Sequence, residues 1–432
     1  MSQSSPQVIA THMKNYSQIT SSRNLTILDI LALLIPCLIF VEMRIIGRLF
    51  LPEIILLGLF PFLLWHNGRT LRSTLPKHFL FFSALWFFSQ IITDVMRGTP
   101  FEDWSRGLSK IVFFTVDFFA IYLIVGINVK RMKLFMIGIA IGQILAFFIN
   151  PNIFASDWWK FGVGYAITVL LLMFTQFKLW GHDRANTEII LVLLSVLNVF
   201  MGARSLGGMC FLTAVLLYAK RKALRDRFGM AKISRVKLFL LVVYGFAVSL
   251  TMIGLYGYSA NKGWLGEEAK VKYESQLAGE LGLLIGGRSE ILASSMAIMD
   301  SPIIGHGSWA KDQRYVEILH DNIQKYGYNL AYNTDSDHIP SHSYVFGAWV
   351  EAGILGAVFW IWFFVLTVKA LIAVYQLDIP FAPLIVFICL NCLWNILFSP
   401  FGAETRFYNA YAACLIMFPL FILEFMKVKT RL

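Results

Sequence analysis

Three residues are of a kind, and in a place, to do chemistry: Arg288, Arg204 and His342. Arg288 opens the run RSEILASSMAIMD, bounded by Gly286-Gly287 before it and Pro302 after it. Those breakers predict a short helix, and Ile291, Leu292, Met296 and Met299 recur along it at helical spacing. A helix N-terminus and an arginine both suit phosphate oxygens. An amphipathic loop helix lying on the membrane with a surface arginine has the same pattern. Arg204 stands in FMGARSLGGM, between two apolar runs. It either snorkels to the interface or faces a polar cavity, where Gly202, Gly207 and Gly208 let backbones approach. His342 follows Pro340-Ser341 and precedes a long apolar run. A histidine there can exchange a proton near neutral pH, within reach of both water and a substrate carried by a lipid. A histidine that merely caps the helix reads the same way.

Other ionisable residues gather around these three. Glu351 lies inside the apolar run after His342, and an acid at that depth invites a functional reading. Nine residues along a straight helix would turn it away from His342, so the two are not paired here. Gly353 and Gly356 suit a close-packing face. Glu404 and Arg406 are expected to pair with each other. His306, His320, His338 and His342 share one polar segment, but Pro340 disfavours a helix joining the last two and no HExxH is present. No metal site is expected. The sequence holds no phosphate-binding GxxxxGK[ST] and no GxSxG elbow, so no nucleotide and no other cofactor is implied. The five cysteines all lie in apolar runs, which argues against a disulfide framework, and Cys389-x-x-Cys392 reads as helix packing.

The elements that hold these residues are written in the composition. Of 432 residues, 57% are hydrophobic, more than a soluble fold needs. A ruler of roughly 20 apolar residues per span places spans at 27–43, 49–66, 78–96, 109–128, 132–150, 161–180, 187–203, 205–219, 236–258, 343–368, 381–399 and 407–426. The expected fold is an all-α polytopic integral membrane protein with about twelve transmembrane helices. The net charge of +11 sits in short segments between spans, most densely in KRKALRDRFGMAKISRVK at 220–237. This reads as a topology signal and a contact for anionic lipid, with both termini cytoplasmic, rather than as a nucleic-acid surface. The first hydrophobic run is expected to stay as a membrane helix, since no cleaved signal is evident. Residues 1–258 form the N-terminal membrane helices, 259–342 a large outer loop with short amphipathic helices, and 343–432 the last membrane helices. The aromatic-rich run RYVEILHDNIQKYGYNLAYN points to a folded cap within that loop.

The order of these features resembles the O-antigen ligase and O-antigen polymerase superfamily of bacterial envelope glycosyltransferases. The matching positions are Arg288, the turn Pro302-Ile-Ile-Gly305-His-Gly307, His342, and the helix motif Glu351-Ala-Gly353-Ile-Leu-Gly356. Ser343 follows His342 where many members have Asn, which is a departure. The resemblance implies a bacterial inner-membrane enzyme with a periplasmic loop. The donor would be a glycan on undecaprenyl pyrophosphate, and the acceptor a hydroxyl of lipid A-core or of a second lipid-linked glycan. Arg288 and Arg204 would hold the pyrophosphate leaving group, and His342 would act on the acceptor hydroxyl. Arg204, Arg288, His306 and Glu351 would bind substrate. Transfer would be inverting and metal-independent. A polymerase of lipid-linked repeat units is the first alternative. A protein O-oligosaccharyltransferase would equally need only a hydroxyl near His342. A transporter or flippase should carry inverted repeats and charges near the bilayer midplane, and neither is visible. A membrane scaffold would not need Arg204, Arg288 or His342.

Overall fold

The computed structural model of the chain describes residues 25–45, 47–149, 157–174, 186–225, most of 254–274, 289–325, and 337–429 apart from 378 and 380. The helices that matter below are α1 (Ile27–Cys37), α2 (Leu51–Asn67), α3 (Thr74–Arg97), α4 (Phe101–Val125), α5 (Val129–Ile149), α6 (Gly164–Phe174), α7 (Asn186–Phe200), α8 (Arg204–Arg225), α9 (Glu290–Asp300), α10 (Gln313–Lys325), α11 (Tyr344–Ala352), α12 (Ile354–Gln376), α13 (Ala382–Phe398) and α14 (Ala403–Lys429). The protein is an all-α membrane protein, with one small antiparallel hairpin, β1 (Glu42–Arg44) and β2 (Arg48–Phe50), between α1 and α2.

The expected count of about twelve spans is not supported. Six helices among the described residues are long and apolar enough to cross a membrane: Leu51–Arg72, Thr74–Arg97, Phe101–Val125, Val129–Ile149, Ile354–Gln376 and Ala403–Met426. The first run stops early because the chain turns into the hairpin at Glu42. The runs at 161–180, 187–203 and 381–399 meet shorter apolar helices. The run at 236–258 lies outside the described residues except at its end.

The core runs along α4. Its last stretch, from Asp117 to Val125, is buried on every face, as expected of a helix ringed by others. Phe79 stacks on Phe118 at 3.8 Å, Phe114 on Trp360 at 5.8 Å, and Trp360 meets Phe401 at 4.8 Å. In lipid, packing of this kind replaces the hydrophobic effect as the force between helices. This aromatic block ties α3, α4 and α12 to the loop before α14, and it supports the site above it.

The run at 343–368 is not one helix. It breaks at Gly353, whose φ of +69° is left-handed and suits a residue without Cβ. A small second core sits over that break, built from Ala293 and Ala297 of α9, Tyr315 and Leu319 of α10, Ala310, Ile339 and Val350. The described part of the polar segment is therefore a folded cap. The face of α9 turned to the protein is made of small residues. Ala293, Ser294 and Ala297 pack inward, while Ile291, Met296 and Met299 are exposed. Small residues let α9 sit close to α11, and the larger apolar side chains are left on the outside.

Candidate active site

Where a helix breaks, its last carbonyls lose their partners and must find others. Here the turn after α9 supplies them. The amides of His306 and Gly307 donate to the carbonyls of Val350 (2.7 Å) and Glu351 (3.0 Å). Ser89 Oγ donates to Ala352 O at 2.7 Å. In return the Ile354 amide donates to Pro302 O at 3.0 Å. The two glycine motifs of the sequence are thus halves of one joint. Gly305 has φ +84°, and a Cβ there would lie 2.6 Å from the Gly353 nitrogen.

The end of α3 clamps the same turn from the other side. Asp94 accepts from both the amide and the hydroxyl of Ser308 at 2.7 Å. Arg97 donates to Gly305 O at 2.9 Å and to Ser301 Oγ at 2.6 Å. Thr93 donates to Ile304 O. Tyr315 anchors the cap by donating to Asp300 Oδ2 at 2.6 Å, and burial together with that bond pushes its phenol up to about 12.

Between this joint, the cap and the hairpin lies a cavity of about 460 Å³. Its walls come from α4 (Arg106, Ser109, Lys110), the hairpin (Gly47, Arg48), α9 (Glu290), the cap (Trp309, His320, His338), the segment ending at His342, the end of α11 (Glu351) and the start of α14 (Arg406). Ser343 caps α11: its Oγ accepts from the Phe346 amide at 3.3 Å and donates to Ile396 O at 2.8 Å. That anchor fixes His342 at the cavity wall. His342 Nδ1 is 3.8 Å from Glu290 Oε1. Lys110 Nζ donates to Glu351 Oε2 at 2.6 Å.

Arg406 is the deepest of the lining cations, 3% exposed against a Glu53 that is fully buried. It grips Glu53 with two nitrogens, one of them at 2.7 Å, and donates to Arg48 O at 3.0 Å. Arg48 in turn holds Glu42 through two bonds of 2.8 and 2.7 Å and also pairs with Glu404. The side-chain bond from Arg48 holds the Glu42 carboxyl below its ordinary range, against burial, which acts the other way. The expected Glu404–Arg406 pair is absent from these ion pairs, because two residues apart on a helix point to different sides. On the lining itself, four cations (Arg48, Arg106, Lys110, Arg406) stand against two carboxylates, Glu290 and Glu351. Each of these cations is already paired with a carboxylate: Arg48 with Glu42 and Glu404, Arg106 with Glu102, Lys110 with Glu351 and Arg406 with Glu53.

The residues singled out in the sequence fall in different places. His342 and Glu351 line the cavity together. Their nine-residue separation does not turn them apart because His342 precedes the helix cap and Glu351 stands at its last turn. His306 packs beneath the cavity, its Nε2 2.7 Å from Ala297 O and its ring edge-on to Tyr315 at 5.4 Å. Arg204 heads α8, with its guanidinium 4.7 Å from the Tyr256 ring centre, and is not among the lining residues. Arg288 lies outside the described residues. The sequence reading missed Arg106, Lys110, Arg48 and Glu290, and took Arg406 only as a partner of Glu404. Arg106 and Lys110 had a signal, since two cations at i,i+4 share one face at the start of an apolar helix.

The fold and this site define a multi-helix membrane protein with a capped, cation-lined cavity holding a histidine beside a carboxylate. Residues 189–361 match the family model described as O-antigen ligase. The resemblance to the O-antigen ligase superfamily, a group of ligase- and polymerase-type glycosyltransferases, therefore holds over a stretch that includes Glu290, His342 and Glu351. No curated protein and no solved structure matches the chain.

Proposed function

We propose that the chain is an O-antigen ligase-like glycosyltransferase that moves a glycan from undecaprenyl pyrophosphate to an acceptor hydroxyl at the periplasmic face of the bacterial inner membrane. The observation that carries this reading is His342 beside Glu290 in a cation-lined cavity inside the family-matched stretch. His342 takes the proton of the acceptor hydroxyl, and Glu290 steadies the imidazolium that results. The hydroxyl oxygen attacks the anomeric carbon as the bond from that carbon to the pyrophosphate oxygen breaks. One face is attacked while the other releases, so the centre inverts. Negative charge grows on the departing pyrophosphate, and fixed cations stabilise it without a metal. Arg288 and Arg204 are the cations that the family pattern suggests for this role, with Lys110 and Arg106 beside them on the lining. Glu351 holds Lys110 at its post, and His306 supports the joint from below.

In this reading residues 1–258 and 343–432 form the membrane part, 259–342 is the periplasmic loop, and both termini are cytoplasmic. Ligase and polymerase differ only in whether the acceptor is lipid A-core or a lipid-linked repeat unit. A glycan inventory of a strain lacking the protein separates them. Long chains accumulating on undecaprenyl pyrophosphate, with bare lipid A-core, are the expected ligase result. Single repeat units accumulating, with no long chains, mean polymerase. Normal glycans in both pools overturn the proposal.

A further inference from the structure

Trp309 stands at the cavity wall in a backbone conformation that a bulky residue rarely adopts. Its φ is +51°, one of two non-glycine residues with positive φ among the described residues. A left-handed backbone is costly for an L-residue with a large side chain. Such a conformation persists only where its surroundings hold it, and it gathers at sites that use the side chain. The surroundings here are specific. The guanidinium of Arg106 sits over the indole, 5.6 Å from the ring centre, and the ring of His338 meets it edge-on at 5.4 Å. Lys311 is tied to Asp103 on α4 at 3.3 Å, which holds the strap that carries Trp309 against the membrane helices. Even so, Trp309 remains 42% exposed. A merely structural tryptophan would be turned into the small core formed by its neighbours Ala310, Tyr315 and Ile339. Trp309 instead lines the cavity, part exposed beside Arg106 and His338.

We propose that the exposed part of the Trp309 indole is a stacking platform for a pyranose ring of the glycan that enters the cavity. An aromatic face carries negative charge density. The C–H bonds on the apolar side of a sugar ring present positive hydrogens to it, while the ring hydroxyls at its edge reach polar neighbours. Arg106 and His338 supply such neighbours beside the indole. The platform selects for a sugar ring over a bare phosphate or an acyl chain, and it places that ring in the cavity that holds His342. The inference rests on the glycosyltransferase reading, but it concerns binding and not the transfer step.

The test uses the whole protein purified in detergent and, as probe, the free oligosaccharide released by mild acid from the host's lipid-linked glycans. Saturation-transfer NMR reads which sugar protons touch the protein. The wild type should give signals from ring C–H protons, and Trp309→Phe should bind with reduced affinity. Trp309→Asn should lose about tenfold or more in affinity. Asparagine tolerates a left-handed backbone, so this variant should keep or raise the melting temperature while binding falls. A purely structural tryptophan would show the reverse, with stability lost and binding kept. Equal binding by Trp309→Asn and the wild type overturns the platform, as does a wild type that binds no oligosaccharide. Trp309-dependent binding in a protein that transfers no glycan would leave the platform standing and overturn the proposed function.

Discussion

Two charge clusters lie at opposite ends of α4, and they are built to different rules. At the far end Asp29 of α1 accepts from Lys130 Nζ at 2.8 Å and Arg131 Nε at 3.1 Å, and it closes a capping box with Thr26. Arg131 also donates to Ile124 O at 3.1 Å. Each group there is matched to its neighbours, and none of them lines the cavity. At the near end Arg106 and Lys110 face a cavity large enough for a guest, with His342 and Glu290 across from them. Both clusters look alike in sequence, as charges at the ends of apolar runs. The one that fastens helices is closed on itself, and the one suited to chemistry leaves room beside its ion pairs.

Substitutions at the two ends should separate these roles. The largest structural effect is expected beneath the cavity. Glu53→Ala leaves the Arg406 guanidinium buried without its carboxylate, which costs about 3–5 kcal/mol; thermal unfolding in detergent should show a large fall in melting temperature. Lys110→Met should lower transfer about 100-fold and lower the melting temperature by less than Glu53→Ala does, because Glu351, left without its partner, keeps some contact with solvent. Lys130→Met, at the other end, should leave transfer unchanged and cost about 1 kcal/mol, because Lys130 is part exposed and Arg131 still holds the buried Asp29. Equal losses of transfer at both ends would remove the distinction between them.

The smallest effect is on the hairpin. The carboxyl of Glu42 is depressed by its bond to Arg48. Its contribution to stability is therefore fully present above the ordinary glutamate range and is lost as pH falls through the depressed value. Melting temperature should decline on acidification below about pH 4, and Glu42→Gln should flatten part of that decline.

Much of the site was legible. His342, Glu351 and the glycine motifs stood out because ionisable residues and chain breakers are rare in apolar sequence. The membrane class followed from composition alone. What was missed depends on distance along the chain. Arg48, Lys110, Glu290 and Arg406 come from four separate segments, and helical periodicity says which residues share a face without saying which face meets which. The break at Gly353 was hidden because the apolar run continues through it. The expected span count is not supported among the described residues because apolar length does not separate a full crossing from the shorter helices, such as α7 and α13. His306 drew attention through its place between two glycines, yet its ring bonds to the backbone of α9.

The most direct test of the central claim is transfer by the purified protein in liposomes, with undecaprenyl-pyrophosphate-linked glycan as donor and lipid A-core as acceptor, comparing wild type with His342→Ala. Wild type should release undecaprenyl pyrophosphate as the glycan moves, and His342→Ala, folded and inserted to the same level, should release none above background. Transfer by His342→Ala at the wild-type rate would contradict the assignment of this cavity as the site of reaction.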